Sequence, residues 1–347
     1  MHMLRQEARS VAMDAAIDWS KLEGSTIFVT GATGLIGSAF TRALLERNRL
    51  SSSSIAVKLL VRDIGKAKSL FGDCDENSEL SFIEGDVATV SPAACAADYI
   101  VHAACPTASS YFVTHPVETV DSIVRGTANM LEAARGCKAR SFLYVSSMEV
   151  YGNGNSSGSF DHLISEHEAG FVDPLAVRSC YPEGKRMAEH YCVAYASEYS
   201  VSAKVARLAQ TFGPGIPKDD SRIFAMIAKC AMAGRDVVLK TAGESTRMYV
   251  YTTDAVRGLL TILLQGEKGR AYNVANPATY SSVYSMADAV LSQFAPTARV
   301  RLEIDGNAPY PPDHHLPLDV SAVMALGWEP KVGLMEMYEN LIAYLAQ

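Results

Sequence analysis

"STIFVTGATGLIGSAFTRALLER", residues 25 to 47, sets a short apolar run rich in β-branched residues, a glycine-rich turn and then apolar positions at helical spacing in direct succession. That order reads as strand, turn, helix. Gly31, Gly34 and Gly37 have G-x-x-G-x-x-G spacing. In such a turn the first glycine allows a tight bend, the second lets backbone N–H groups approach a pyrophosphate, and the third lets helix and strand pack closely. A glycine triplet alone is a weak signal. Placed between strand and helix at the head of an alternating chain, it points to a dinucleotide, with Thr33, Leu35 and Ile36 filling the same turn.

Downstream, "IAVKLLVRD" (55–63), "LSFIEGDV" (80–87), "DYIVHAA" (98–104), "SFLYVSS" (141–147) and "VSAKVARLAQTFGP" (201–214) read as five further strands with helical patterns between them, notably 116–135. Strand–helix alternation predicts an α/β protein with a doubly wound parallel sheet covered on both faces. The rhythm changes after the Gly-Pro loop. Residues 25–214 are therefore expected to form the dinucleotide-binding domain, and 215–347, with "DVVLK", "AYNVA", "MADAVLSQF" and the proline-rich "APYPPDHHLP", mainly a smaller α+β lobe over the carboxyl edge of the sheet. Residues 1–24 are expected to be a helical or frayed extension.

The end of the second strand bears on the cofactor. An acid there would accept hydrogen bonds from a ribose 2'-hydroxyl, whereas an arginine accommodates a 2'-phosphate. The chain has Val61, Arg62, Asp63, followed by Lys66 and Lys68. The charges lean toward NADP, with Asp63 on the ribose of NAD as the other reading. Asp86, Val87, Ala103 and Ala104, at the ends of the third and fourth strands, complete the expected cofactor site.

"CYPEGKRMAEHYC" (180–192) places Tyr181 and Lys185 about one turn apart on one helix face. A neighbouring ammonium lowers a phenol pKa, so the pair can take a proton from a substrate hydroxyl. Y-x-x-x-K is common by chance. Here it follows a strand ending "YVSSMEVYG" (144–152), where Ser147 can hydrogen-bond the same substrate oxygen.

Bulk properties narrow the partner. The 347 residues carry a net charge of −7 without a basic block, which excludes a nucleic-acid role and favours a small-molecule substrate. The first two dozen residues lack the apolar run of a signal peptide or membrane span, so the expectation is a cytoplasmic protein. Seven scattered cysteines without metal-type spacing read as reduced thiols, and no carboxylate–histidine spacing points to a metal. His314 and His315 read as solvated loop residues.

"VTGATGLIG", "GDV", "HAA", "GTANMLEAA" (126–134), "SSMEVYG", "YPEGK", "FGP" (212–214), "GESTRMYVYTTDA" (243–255) and "LDVSAVMALGWEPKVGL" (318–334) together resemble the extended short-chain dehydrogenase/reductases, the epimerases, dehydratases and decarboxylases of nucleotide sugars, over residues 25 to 345. Within that group "CYPEGKRMAE", "VARLAQTFGP" and Glu149 look most like UDP-glucuronate decarboxylases. The resemblance implies bound NAD, transient oxidation at the sugar C4 hydroxyl, Ser147, Tyr181 and Lys185 as catalytic triad, Glu149 as active-site glutamate, and Arg247 and Arg222 on the substrate. It also implies a homodimer through helices 116–135 and 181–198. Gln210, where asparagine is usual, and Thr107, in the loop after the fourth strand, are further substrate-side candidates. Two departures stand out. Met148 cannot donate a proton where a dehydratase has its aspartate, and Gly215 replaces an arginine. Decarboxylation and 4-epimerisation remain open as net reactions, and an NADPH-dependent carbonyl reductase of the flavonoid-reductase type is the alternative.

Overall fold

The computed structural model describes residues 2–51, 54–72, 79–154, 162–304 and 313–347. The chain opens with helix α1 (His2–Ala12), then β1 (Thr26–Thr30) and α2 (Leu35–Ser51) on either side of the glycine turn. It continues through β2 (Ala56–Val61), α3 (Ile64–Phe71), β3 (Leu80–Glu84), β4 (Tyr99–His102), α4 (Ser109–Thr114), α5 (Pro116–Cys137), β5 (Ser141–Ser147), α6 (Cys180–Glu198) and β6 (Ala203–Leu208). The later elements are β7 (Gln210–Phe212), α7 (Ile223–Met232), β8 (Val237–Leu239), β9 (Thr246–Tyr251), α8 (Thr252–Gln265), β10 (Ala271–Val274), β11 (Asn276–Ser282), α9 (Val283–Phe294), β12 (Val300–Leu302), β13 (His315–Leu316), α10 (Ser321–Met324) and α11 (Leu334–Leu345).

Seven strands form one parallel sheet in the order β10-β6-β5-β4-β1-β2-β3. The strand order reverses between β1 and β4, which opens a crevice at their carboxyl ends. Both faces are covered, and β1 shows how. Ile27 and Val29 join a core that includes Phe40 and Leu44 of α2 and Leu259 of α8. Phe28, pointing the other way, joins Ile123 and Met130 of α5 and Ala188 of α6. The smaller lobe has its own core, where Phe212 stacks on Phe224 at 4.6 Å and meets Tyr249 and Tyr338. Its sheet centres on β9, which pairs antiparallel with β11 and parallel with β7 and β13.

Two elements differ from the sequence reading. The stretch 201–214 is two strands: β6 belongs to the main sheet, β7 pairs with β9, and the Ala209 amide between them bonds the Val274 carbonyl at 3.0 Å. "AYNVA", assigned above to the smaller lobe, contains β10, the seventh strand of the main sheet. Tyr272 and Val274 are fully buried in the main core, and the strand pairs in parallel with β6. Residues 215–347 therefore supply α8 and β10 to the main sheet as well as the smaller lobe. Cys74 and residues 308–312 of the proline-rich connection lie outside the described residues.

The amino-terminal extension is docked. Val11 and Ala12 of α1 are buried, the Tyr251 hydroxyl donates to Glu7 Oε1 at 2.9 Å, and Asp14 pairs with Arg257 at 2.8 Å and Lys331 at 2.6 Å. No described helix is long and apolar enough to cross a membrane.

Candidate active site

The glycine turn is built for close approach. Gly31 has φ +68°, and a Cβ there would lie 2.5 Å from the Ala103 carbonyl carbon. At Gly37 a Cβ would collide with the Gly31 carbonyl. With side chains excluded, the amino terminus of α2 opens onto a cavity of about 1210 Å³ lined by Gly31, Thr33, Gly34, Leu35, Ile36 and Gly37. Arg62, Asp86, Val87, Ala103 and Ala104 border the same cavity. A bare helix terminus facing such a cleft fits a pyrophosphate.

Ala103 and Ala104 are fixed from beneath by a buried chain of hydrogen bonds. Thr127 Oγ1 donates to the Ile123 carbonyl at 2.6 Å and so accepts from His102 Nε2 at 3.1 Å. His102 Nδ1 then accepts from Thr30 Oγ1 at 2.7 Å, and Thr30 Oγ1 accepts the Ala104 N–H at 3.1 Å. Burial, helped by the Lys185 charge, pushes the His102 pKa down to about 3, so this ring is a neutral strut.

Tyr181, Lys185 and Ser147 converge on the other wall. Pro182 is accommodated in the first turn of α6, and Gly184 lets that helix close on Ile123 of α5. Toward the sheet, Lys185 Nζ donates to the Val145 carbonyl at 2.8 Å, and Glu189 accepts from Ser146 at 2.5 Å and from Arg207 at 2.6 Å. These bonds set the rotation of α6. The Tyr181 phenol lines the cavity together with Ser147 and stacks on Phe112 with ring centres 4.3 Å apart. Lys185 Nζ lies 5.8 Å from the Tyr181 ring centre.

The lysine does not lower the phenol pKa here as the sequence spacing implies. Burial raises Tyr181 well above its ordinary value, with Glu149 adding to it. The Ser147 hydrogen bond and the Arg178 charge are the opposing influences. Burial also lowers Lys185, whose Nζ is committed to a backbone carbonyl.

Arg247, Gln210 and Arg222 line the same cavity, as does Thr107, which is exposed. Arg247 Nη1 reaches Gln210 Oε1 at 3.4 Å, while its buried Nε has no hydrogen-bond partner among the described residues. Arg222 is engaged by Asp220, with Nη2 at 2.5 Å from a carboxylate oxygen. Glu149 is clamped by Arg178 through two bonds of 2.8 and 3.1 Å. Arg178 escaped the sequence reading, although it stands three residues before Tyr181. Phe171, Val172 and Asp173, also lining the cavity, lie in an irregular stretch with no motif to mark them. His315 is half-buried in β13 with Nδ1 2.8 Å from Thr246 Oγ1, and His314, also half-buried, lines the cavity.

A glycine turn, a serine at a strand end and a tyrosine–lysine helix around one crevice of a doubly wound sheet define an enzyme of the short-chain dehydrogenase/reductase type. The profile of the NAD dependent epimerase/dehydratase family matches residues 27–275, and the chain belongs to that family. A UDP-glucuronic acid decarboxylase of Arabidopsis thaliana is 32% identical over 310 residues, covering 89% of this chain and 85% of the relative. One of Xenopus tropicalis is 31% identical over 331 residues, covering 94% and 73%. Among solved structures, UDP-glucose 4-epimerase from Thermotoga maritima superposes with a TM-score of 0.77 at 21% identity, covering 92% of this chain and 98% of that one. UDP-glucuronic acid 4-epimerase from Bacillus cereus, in complex with UDP-glucuronic acid and NAD, gives 0.74 at 23%, covering 93% and 99%.

Proposed function

We propose that the protein decarboxylates UDP-glucuronate, acting through transient oxidation of the sugar C4 hydroxyl. The observation that carries this reading is that Ser147, Tyr181, Lys185 and Arg247 line one cavity with the glycine turn. Gly31, Gly34, Gly37 and the α2 amino terminus would hold a dinucleotide, which would supply a reversible hydride acceptor for C4.

Tyr181, once its phenol proton has gone to solvent in the occupied cavity, accepts the C4 hydroxyl proton while Ser147 holds that oxygen. In the resulting β-keto acid the bond from C5 to the carboxylate breaks, CO2 leaves, and the electron pair moves onto the C4 oxygen. Tyr181 and Ser147 then offer that enolate two hydrogen-bond donors. A proton from solvent water is added at C5, and Tyr181 gives its proton back to the C4 oxygen as the ketone is reduced. Arg247, with an unsatisfied Nε, is the planar donor for the substrate's anionic groups. The Arg178 clamp fixes the Glu149 carboxylate beside the site.

The test is mass spectrometry and chromatography of UDP-glucuronate incubated with purified protein and no added cofactor. Loss of CO2 supports decarboxylation with a retained dinucleotide. An isomer of unchanged mass replaces it with 4-epimerisation, and consumption of NADPH only with a ketone substrate replaces it with the carbonyl reductase. No product from any UDP-, dTDP-, GDP- or CDP-sugar removes the nucleotide-sugar reading. The expected working form is a cytoplasmic homodimer joined through α5 and α6.

A further inference from the structure

The end of β2 departs from what a ribose diol requires. Thr30 of β1 is in register with Leu60, so Val61 closes β2 beside the glycine turn. Val61 is apolar and only 4% exposed, and offers no acceptor. The next acid, Asp63, is committed elsewhere: it caps α3, with Oδ1 accepting the Lys66 N–H at 2.8 Å. Asp86, on the neighbouring loop, accepts the Ala88 N–H at 2.9 Å through Oδ1. Between them Arg62 is exposed, lines the cavity, and makes no side-chain hydrogen bond or ion pair among the described residues.

We propose that Arg62 selects the dinucleotide that carries a phosphate on the adenosine 2'-oxygen, so that this chain retains NADP rather than NAD. A planar guanidinium offers that phosphate a fork of charge-assisted hydrogen bonds, and the 2'-hydroxyl of NAD finds no carboxylate at Val61. The inference rests on the dinucleotide reading of the glycine turn. It does not depend on which sugar is the substrate.

The nucleotide released from denatured protein is identified first by mass spectrometry. NADP+ and NAD+ are then titrated calorimetrically into wild-type protein and Arg62→Ala, with no sugar present. The expected results are released NADP, wild-type affinity for NADP+ at least about tenfold above that for NAD+, and a loss of about 10- to 100-fold for NADP+ alone in Arg62→Ala. Arg62→Asp should reverse the preference. Released NAD, equal affinities in wild type, or a substitution that weakens both dinucleotides alike would overturn the proposal and leave the decarboxylase reading standing. No nucleotide released and neither dinucleotide bound would overturn this proposal together with the dinucleotide reading beneath it.

Discussion

Stacked on Phe112, the Tyr181 phenol is kept protonated by burial. It becomes a proton acceptor only when developing charge around it outweighs that burial, which ties its chemistry to an occupied cavity. Tyr181→Phe keeps the stack and removes the proton relay. Turnover should fall about 10²- to 10⁴-fold with dinucleotide affinity unchanged, measured by product formation and by titration; near-normal turnover would remove Tyr181 from the mechanism. His102 makes a stability prediction with a defined sign. Its pKa falls from an ordinary 6.5 to about 3 in the folded state. Between those values the unfolded chain binds the extra proton, so the stabilisation is complete above pH 6.5 and is lost as pH drops toward 3. By pH 5 this group alone should cost about 2 kcal/mol. His102→Gln should flatten the fall of thermal midpoint between pH 7 and 5, and a parallel fall in both proteins would contradict the assignment.

At the scale of elements, α1 and the turn that follows it tie together parts of the chain far apart in sequence. Glu7 holds β9 through Tyr251, and Asp14 holds α8 through Arg257 and the carboxyl-terminal tail through Lys331. Gly215, where the family resemblance implies an arginine, has φ +103°, and a Cβ there would sit 3.3 Å from Leu35 and 3.6 Å from Leu4 of α1. The docked extension occupies the space beside that position. Asp14→Asn leaves Arg257 buried with one carboxylate partner fewer and should cost about 3 kcal/mol in urea unfolding; a loss under about 0.5 kcal/mol would show that the latch contributes little. None of this was legible beforehand, because ion pairs between residues 14, 257 and 331 leave no local pattern. By contrast β5 was read to the residue and α6 to within one, since β-branched runs and Y-x-x-x-K are local signals. β10 was misassigned because four residues cannot say which sheet they join. Arg178 was missed because a clamp on Glu149 is made by folding, whereas Ser147, Tyr181 and Arg247 stood in motifs.

For the molecule as a whole, the outer surface of the α5–α6 layer is the feature that a single chain leaves unresolved. The two helices pack side by side and expose Val117 (68%), Val120 (37%), Met187 (50%) and Val193 (43%). Isolated surface valines need no explanation, but an apolar set on one helix layer is where the predicted second copy would dock. A second copy related by twofold symmetry would present the same face, building a four-helix contact whose core these residues fill. A stable contact of that kind buries about 800 Å² per partner, which two helices of 22 and 19 residues can supply. Because Ile123 of α5 and Lys185 of α6 lie on the inner side of the same helices, pairing would also stiffen the wall that carries Tyr181. Light scattering of wild-type protein at micromolar concentration should give the mass of two chains. Val120→Glu with Met187→Glu should give the mass of one, without loss of the folded circular dichroism spectrum, since both positions are exposed in the monomer. Activity per chain is then expected to fall by a few-fold through a lower kcat at unchanged dinucleotide affinity. A wild-type monomer, or a double variant that remains paired, would place the contact elsewhere or remove it.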